Sequence, residues 1–520
     1  MLSKLTTSRF ILLATGLFTL FIGILIFIHP PALYPDPSWG FQVMQSMQTG
    51  GGFNILPGPW INDLSKNNPS FLSWWSPGQY LLPYFFIVLF KVNIGHAIAL
   101  TVTACSLTGI WGWYFLFKKL GFTKVVCTLS VAFIACQQAY LIPYVFYNGG
   151  EILLFAFTGW FLYGCSIFKK ASWLMVLFIL LSGLAGFFCK SSFLWIFASG
   201  LLYLWIRISQ REKILRLIVN GVYIGVPAML ALIIIYATYL SKGENPASIS
   251  LGVKFTWPAI TFPLASPLLA GFSVDDLTNG LIYSTGPAMF SPAMAIIVLA
   301  ILAILSILLI TYIIKKTNHA DYRLLLFLFY AISVIFFGIS FLRQANISYE
   351  SRHIRVVGLI VTPGVIYLFS RARLPYRIIF SALWVFIAYS GFKFMYNGYY
   401  RNAYETAHGH TGISQLFIDQ PTLNYVNQLD RQQRNAIFVF ISADLGLEIQ
   451  HNRIITFNPV NDQLVAENLN MYYGHAGPIY MVLPASFKGA KANVYISRFP
   501  GYHNFTLQQV SDKYLVYSAQ

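Results

Sequence analysis

Between residues 10 and 396 the chain is a succession of apolar runs, each long enough to cross about 30 Å of hydrocarbon, separated by short clusters of Lys and Arg. Ionisable residues are missing from the middle of nearly all of these runs, where a charge costs about 2.5–3.5 kcal/mol even on insertion scales. The bilayer is therefore the solvent for most of the chain. Hydrophobic residues make up 57% and charged residues only 10% of the 520, too few charges to cover a water-soluble surface of this size. The expected fold is a polytopic α-helical membrane protein with about eleven transmembrane helices, followed by a C-terminal external α/β domain.

The expected spans are 10–28, 94–117, 125–146, 152–168, 173–189, 192–206, 217–240, 292–314, 324–342, 356–369 and 378–396. The first follows Lys4 and Arg9, is too long for a cleaved leader, and opens into His29-Pro30-Pro31, so it reads as a retained span with a cytoplasmic N-terminus. The net charge of +17 does not point to nucleic acid, because the basic residues sit in short loops between spans. Parity then decides topology. Residues 80–90 are apolar but only half a bilayer long and carry Pro83. If they lie flat on the outer surface, Lys118, Lys119, Lys169, Lys170, Lys315, Lys316, Arg371 and Arg373 all fall inside; if they span, all fall outside. The positive-inside rule selects the first arrangement. Residues 1–396 then form a transmembrane domain with one long external loop at 30–93, and residues 397–520 form an external soluble domain.

That soluble domain has β-rich runs at 436–441, 453–457, 478–483, 493–496 and 514–517, with helix-like stretches at 421–429 and 444–450, a pattern predicting a small α/β sandwich. It contains no phosphate-cradling glycine loop, nucleophile elbow or zinc-binding His-Glu pattern. The five cysteines all lie in apolar runs, which argues against a disulfide framework or a metal cluster. Chemistry is expected at the outer ends of the spans, where Asp36, Glu151, Lys190, Arg343, Glu350, Arg352, His353 and Arg355 collect. Asp36 stands between Pro35 and Pro37, which predict a rigid, extended stretch ahead of a helix at 42–48. A carboxylate there either caps that helix or takes part in chemistry. Glu151, in Tyr147-Asn148-Gly149-Gly150-Glu151, is either a helix-start acid favoured by the dipole or a second functional carboxylate. Lys190 and Arg352 could equally be interfacial anchors.

A first span, an acidic residue just outside it, a long external loop with a juxtamembrane helix and an external C-terminal domain together resemble the GT-C glycosyltransferases. The likeness is to the branch with protein O-mannosyltransferases and the aminoarabinose transferase of lipid A. Trp74-Trp75-Ser76-Pro77-Gly78-Gln79-Tyr80-Leu81-Leu82-Pro83 stands where that branch closes its first loop with a Pro-containing aromatic segment, but lacks the branch's basic residue. Gly183-Leu184-Ala185-Gly186-Phe187-Phe188-Cys189-Lys190 is similar to the branch's Gly-Leu-Ala…Lys span, and Ser351-Arg352-His353 to an Arg-Tyr pair opening a late span.

The resemblance implies an inverting glycosyltransferase that moves a sugar from a polyprenyl-phosphate donor to a lipid, glycan or protein acceptor at the outer membrane face. Its partners would be that donor, the acceptor and membrane lipids, with no nucleic acid. Asp36 is then the candidate base, since a carboxylate can take the acceptor's proton. Glu151 orients the acceptor or, with Asp36, could hold a divalent cation. Arg352, His353 and Lys190 face the donor phosphate, whose charge grows as it leaves. Trp39, Trp74, Trp75 and Tyr80 belong to the loop or the acceptor site. Two other classes stay open: a lipid-linked glycan polymerase or ligase, for which the 241–291 loop with Asp275-Asp276 speaks, and a transporter or flippase of lipid-linked sugars, which should place charges or broken helices near the midplane. An external domain without cysteine favours a bacterial inner membrane.

Overall fold

A computed structural model describes residues 2–210, 212–244, 251–272, 290–457 and 472–520; Asp275 and Asp276 lie outside the described residues. The chain divides into two compact units, one of Met1–Ile22, Val102–Pro143 and Gly150–Tyr396, the other of Gly23–Thr101, Tyr144–Gly149 and Asn397–Gln520.

The helices, in chain order, are α1 (Leu2–Ile28), α2 (Pro35–Gln48), α3 (Gly78–Phe90), α4 (Ile94–Lys119), α5 (Lys124–Ala135), α6 (Gln138–Val145), α7 (Gly150–Ile167), α8 (Trp173–Cys189), α9 (Phe193–Ser209), α10 (Ile214–Thr238), α11 (Trp257–Leu264), α12 (Ser266–Gly271), α13 (Pro292–Lys316), α14 (Ala320–Leu342), α15 (Ser351–Arg371), α16 (Leu374–Tyr404), α17 (Gln420–Gln432) and α18 (Ala490–Ile496). Among the described residues eight helices are long and apolar enough to cross a membrane; α5 and α6 form a further, bent pair, and α8 and α9 are apolar helices of 17 residues each. All the runs expected to span are therefore helical, and the protein is an integral membrane protein.

The first unit packs its helices through small residues, as apolar helices must when no water drives them together. A Cβ on Gly159 of α7 would sit 2.8 Å from the backbone of Gly112 on α4, so the two backbones touch there. Gly358 of α15 likewise leaves no room for a side chain against the Ala270 carbonyl of α12. Arg207, near the end of α9, donates to the carbonyls of Cys165 (2.9 Å) and Phe168, satisfying acceptors that the end of α7 leaves open. The run at 125–146 is not the single straight helix expected from its hydropathy. It breaks at Cys136-Gln137 with a bend of 46° between α5 and α6. Gly391 of α16 packs directly on the break, where its Cβ would lie 2.6 Å from the Cys136 oxygen, and the Gln137 amide donates to the Gly271 carbonyl at 3.0 Å. The polar backbone exposed by the bend is thus held inside protein.

The second unit departs from expectation in four places. Residues 35–41 are helical, not extended: Pro35 sits at the start of α2, where its fixed φ suits a helix and its missing N–H is no loss. Residues 30–93, for which no strands were expected, carry short antiparallel pairs, Ile55–Leu56 with Ser70–Phe71 and Pro59–Trp60 with Asp63–Asn67. Residues 493–496 end a helix, α18, instead of forming a strand; Ala492 and Tyr495 are buried three apart, and Gly489 at φ +88° turns the chain into it. The stretch at 444–450 is only a short 3-10 turn, Leu445–Glu448.

Two short strands, β1 (Ala32–Leu33) and β2 (Phe146–Tyr147), pair in parallel just ahead of α2. The main sheet contains β3 (Ile437–Phe440), β4 (Arg453–Thr456), β5 (Ile479–Pro484), β6 (Thr506–Gln509) and β7 (Tyr514–Ala519) in the order β4-β3-β5-β7-β6. β3 pairs in parallel with β4 and β5, and β7 is antiparallel to β5 and β6. Strand alternation sends Ile437 and Val439 into a core with Tyr495 and Phe499, and Phe438 and Phe440 into a second core with Leu423 and Val426 of α17. α17 and α18 therefore cover opposite faces.

Candidate functional site

In the first unit, the site begins with two helix ends forced together by a missing side chain. A Cβ on Gly150, the first residue of α7, would lie 2.8 Å from the Cys189 carbonyl and 3.0 Å from Cβ of Lys190. The C-terminus of α8 therefore rests against the N-terminus of α7. Gly183 and Gly186 allow α8 this position: the first leaves room for Ala231 and Phe197, the second for the ring of Phe193. Glu151, in the first turn of α7, and Lys190, just past the end of α8, each carry the charge favoured by their own helix dipole. Lys190 Nζ pairs with Glu151 Oε1.

Arg352 reaches the same oxygen from a third helix. Its Nη1 is 3.5 Å from Glu151 Oε1, while Nε lies 2.6 Å from Glu350 Oε2 and Nη2 3.4 Å from Glu350 Oε1. The charges alternate: Lys190, Glu151, Arg352, Glu350. These side chains are between 15% and 32% exposed, so they are shielded without being sealed. Arg352 and His353 lie in the first turn of α15, which contains no acid, and Arg355 just beyond it, so two guanidinium groups stand near the positive end of a helix dipole. That placement is unfavourable unless anions meet it, and Glu350 and Glu151 are the protein's own. Ser348 Oγ lies 3.2 Å from His353 Nε2, and Arg355 Nη2 donates to Ser351 Oγ at 3.0 Å. α15 begins five residues ahead of the expected span 356–369, and its Gly358 packs against the Ala270 carbonyl of α12.

Asp36 belongs to the second unit. It does not cap α2: Tyr34 is the N-cap residue, with no side-chain bond, and Asp36 sits half-buried in the first turn. Ser38 Oγ donates to the Tyr34 carbonyl at 2.9 Å, and Tyr34 N–H to the Tyr147 carbonyl at 3.1 Å, which fixes the start of the helix. Trp39 is half-buried on α2, and Trp74 and Trp75 are half-buried ahead of α3. Tyr80 is fully buried and donates to Asn54 Oδ1 at 2.8 Å, which makes it a core residue of the loop. Its neighbour Gln79 accepts the Tyr147 hydroxyl at 2.5 Å through its carbonyl.

Among the described residues no three His, Cys, Asp or Glu side chains converge, and the Glu151 carboxylate faces two cations.

No protein-family model matches the sequence, and no curated protein does. Solved structures do. ArnT from Cupriavidus metallidurans in the apo state superposes with a TM-score of 0.51 at 11% identity, covering 97% of this chain and 98% of that one. The same protein bound to undecaprenyl phosphate gives 0.50 at 11% identity, covering 99% and 98%. The fold is that of these ArnT structures.

Within this fold, three of the residues singled out in the sequence, Glu151, Lys190 and Arg352, come together although they lie 39 and 201 positions apart along the chain. Glu350 had been counted among the outer charges but not assigned to the site. Its signal was its place two residues before Arg352, the distance at which a carboxylate ahead of a helix can grip a guanidinium in the first turn.

Proposed function

We propose that this protein is a glycosyltransferase that moves a sugar, with inversion, from a polyprenyl-phosphate donor to a lipid, glycan or protein acceptor at the outer face of a bacterial inner membrane. The observation that carries the reading is the meeting of Lys190 and Arg352 on Glu151 beside the basic first turn of α15. The likeness to a GT-C structure bound to undecaprenyl phosphate supports the choice of donor.

In this reaction the acceptor oxygen attacks the anomeric carbon, the bond from that carbon to the phosphate oxygen breaks, and polyprenyl phosphate leaves with the electron pair. Asp36, in the first turn of α2, takes the acceptor's proton. Arg352 and Lys190 meet the charge that grows on the departing phosphate, which a planar, forked guanidinium can hold through two oxygens. Glu151 keeps both cations aimed in the absence of donor, and His353 adds a further donor from the same turn. The test uses the full chain in nanodiscs with a radiolabelled polyprenyl-phosphate sugar and an envelope lipid fraction. Wild type transfers label, and Asp36→Asn, which keeps size and dipole position, does not. Transfer by Asp36→Asn at the wild-type rate overturns the base assignment, and no transfer from any polyprenyl-phosphate sugar overturns the function.

A further inference from the structure

We infer that Glu448 is a positioning residue that sets α2, the helix bearing Asp36, through a turn of the C-terminal domain. The inference rests on the reading of Asp36 as base only for its catalytic consequence.

Glu448 is buried, and both its oxygens are saturated. Oε2 accepts the His410 backbone N–H at 3.0 Å and its ring Nδ1–H at 2.9 Å, while Oε1 accepts the Thr411 hydroxyl and the Gln415 amide at 3.2 Å. The loop that supplies most of these donors, Gly409-His410-Thr411-Gly412, wraps the carboxylate so closely that Gly409 has no room for a Cβ. Gly412, at φ +73°, turns the loop back. A carboxylate with four donors has no lone pair left for chemistry, so its work is to hold the 3-10 turn Leu445–Glu448 in place. Burial alone would raise its pKa, but the hydrogen bonds from His410 and Thr411 hold it below the usual carboxylate range, so it stays ionised and keeps its grip.

That turn is where α2 docks. Gln42 Nε2 donates to the Ala443 carbonyl at 2.7 Å and Gln45 Nε2 to the Leu447 carbonyl at 3.0 Å, so one face of α2 reads the backbone just ahead of the turn and within it. A Cβ on Gly446 would lie 2.8 Å from Gln42 Nε2, and its absence is what lets the amide in. Gln45 follows Asp36 by nine residues, about 180° round a helix, so the docked face is opposite the one carrying Asp36. The other end of the same loop is fixed as well: Thr411 O accepts from Gly95 N–H at 2.9 Å, and Ser414 Oγ donates to the Pro30 carbonyl at 2.7 Å. Pro30 lies just ahead of β1, and β1 leads into α2, so Glu448 and its loop grip the segment from both ends.

Amide hydrogen exchange on the full chain in nanodiscs tests this without any substrate. Glu448→Ala should raise exchange across α2 by about tenfold or more and leave α13 and α14 unchanged. Glu448→Gln should recover part of the protection, because its Oε1 still accepts but its Nε2 meets donors. In the transfer assay, Glu448→Ala should lower kcat by about 10- to 100-fold with donor KM unchanged, since a shifted general base loses rate and not donor affinity. Should Glu448→Ala fail to fold, Gln42→Leu with Gln45→Leu releases α2 from the other side and should give the same exchange pattern. Wild-type protection of α2 in a folded Glu448→Ala or in the double variant overturns the inference. If α2 loosens but Asp36→Asn still transfers sugar, the docking stands and only the base assignment falls.

Discussion

Replacing Arg352 with Ala separates an anchor from a phosphate-binding group, because the geometry limits what anchoring can contribute. Arg352 makes a fork to Glu350 at 2.6 and 3.4 Å and a single contact to Glu151 at 3.5 Å, with side chains up to about a third exposed. Ion pairs of this exposure are worth about 0.2–1 kcal/mol each, so losing both removes about 2 kcal/mol at most. Nothing is stranded by the change: Glu151 keeps Lys190, and Glu350 can turn to water. Thermal unfolding should therefore shift by only a few degrees. If Arg352 meets the charge growing on the leaving phosphate, its loss should cost about 2–4 kcal/mol in the transition state, a roughly 30- to 1000-fold fall in kcat/KM. Arg352→Lys should restore only part, because an ammonium cannot hold the Glu350 fork and reach a phosphate together. Single-turnover transfer from a polyprenyl-phosphate sugar, run beside a melting curve, measures both quantities. Turnover within threefold of wild type in Arg352→Ala, with Lys as good as Arg, would refute the assignment and leave Arg352 as a headgroup anchor.

Gly150→Val should push Lys190 away from Glu151, because even a Cβ meets the Cys189 carbonyl at 2.8 Å; transfer should fall about tenfold or more with helix content unchanged by circular dichroism, and wild-type activity would count against the pairing. Burial pushes the Asp444 carboxyl up to about 6, with Ser442 opposing and the charge of Glu448 adding to the rise. Asp444 therefore binds its proton more tightly folded than unfolded, so its contribution to the second unit's stability is complete below about pH 4 and is lost as pH rises through about 6. Exchange protection of β3 and β5 should accordingly weaken between about pH 4 and 6 after correction for intrinsic rates, and Asp444→Asn should flatten that change; equal slopes in both proteins would refute it. With the native cysteines replaced, a cysteine at Lys119 should resist a membrane-impermeant maleimide in intact cells and one at Ser511 should react; the reverse pattern would overturn the topology.

The fold was legible where the signal is local and one-dimensional. Apolar length gave every membrane helix, and the strands at 437–440, 453–456, 479–484 and 514–519 showed themselves by β-branched and aromatic runs. The strand Thr506–Gln509 did not, because all four residues are exposed and no face is apolar. The bend at Cys136-Gln137 escaped because its cause is a neighbour, Gly391, more than 250 residues away in the chain. Asp36, Glu151, Lys190 and Arg352 could each be singled out as a charge at a span's outer end. The meeting of Glu151, Lys190 and Arg352 could not, since it depends on Gly150, Gly183 and Gly186 bringing helices into contact, and a glycine in an apolar run does not say which neighbour it makes room for. Gln42 and Gln45 were invisible for a related reason: their partners are backbone carbonyls, which carry no sequence signature.

The shortness of α8 bears on how this protein sits among lipids. Its 17 residues rise about 25 Å, less than the roughly 30 Å of a typical hydrocarbon core. Such hydrophobic mismatch is relieved by thinning the surrounding bilayer or by drawing the helix end below the headgroups, at fractions of a kcal/mol per ångström. The end concerned carries Lys190. Thinning brings the phosphate layer of the membrane down to this lysine, so a lipid whose phosphate marks the boundary between tail and headgroup would arrive level with it. Under the proposed function the acyl-chain length of the host membrane thereby becomes a variable of sugar transfer: thicker bilayers should hold the Lys190 end deeper and slow transfer, and thinner ones should favour it.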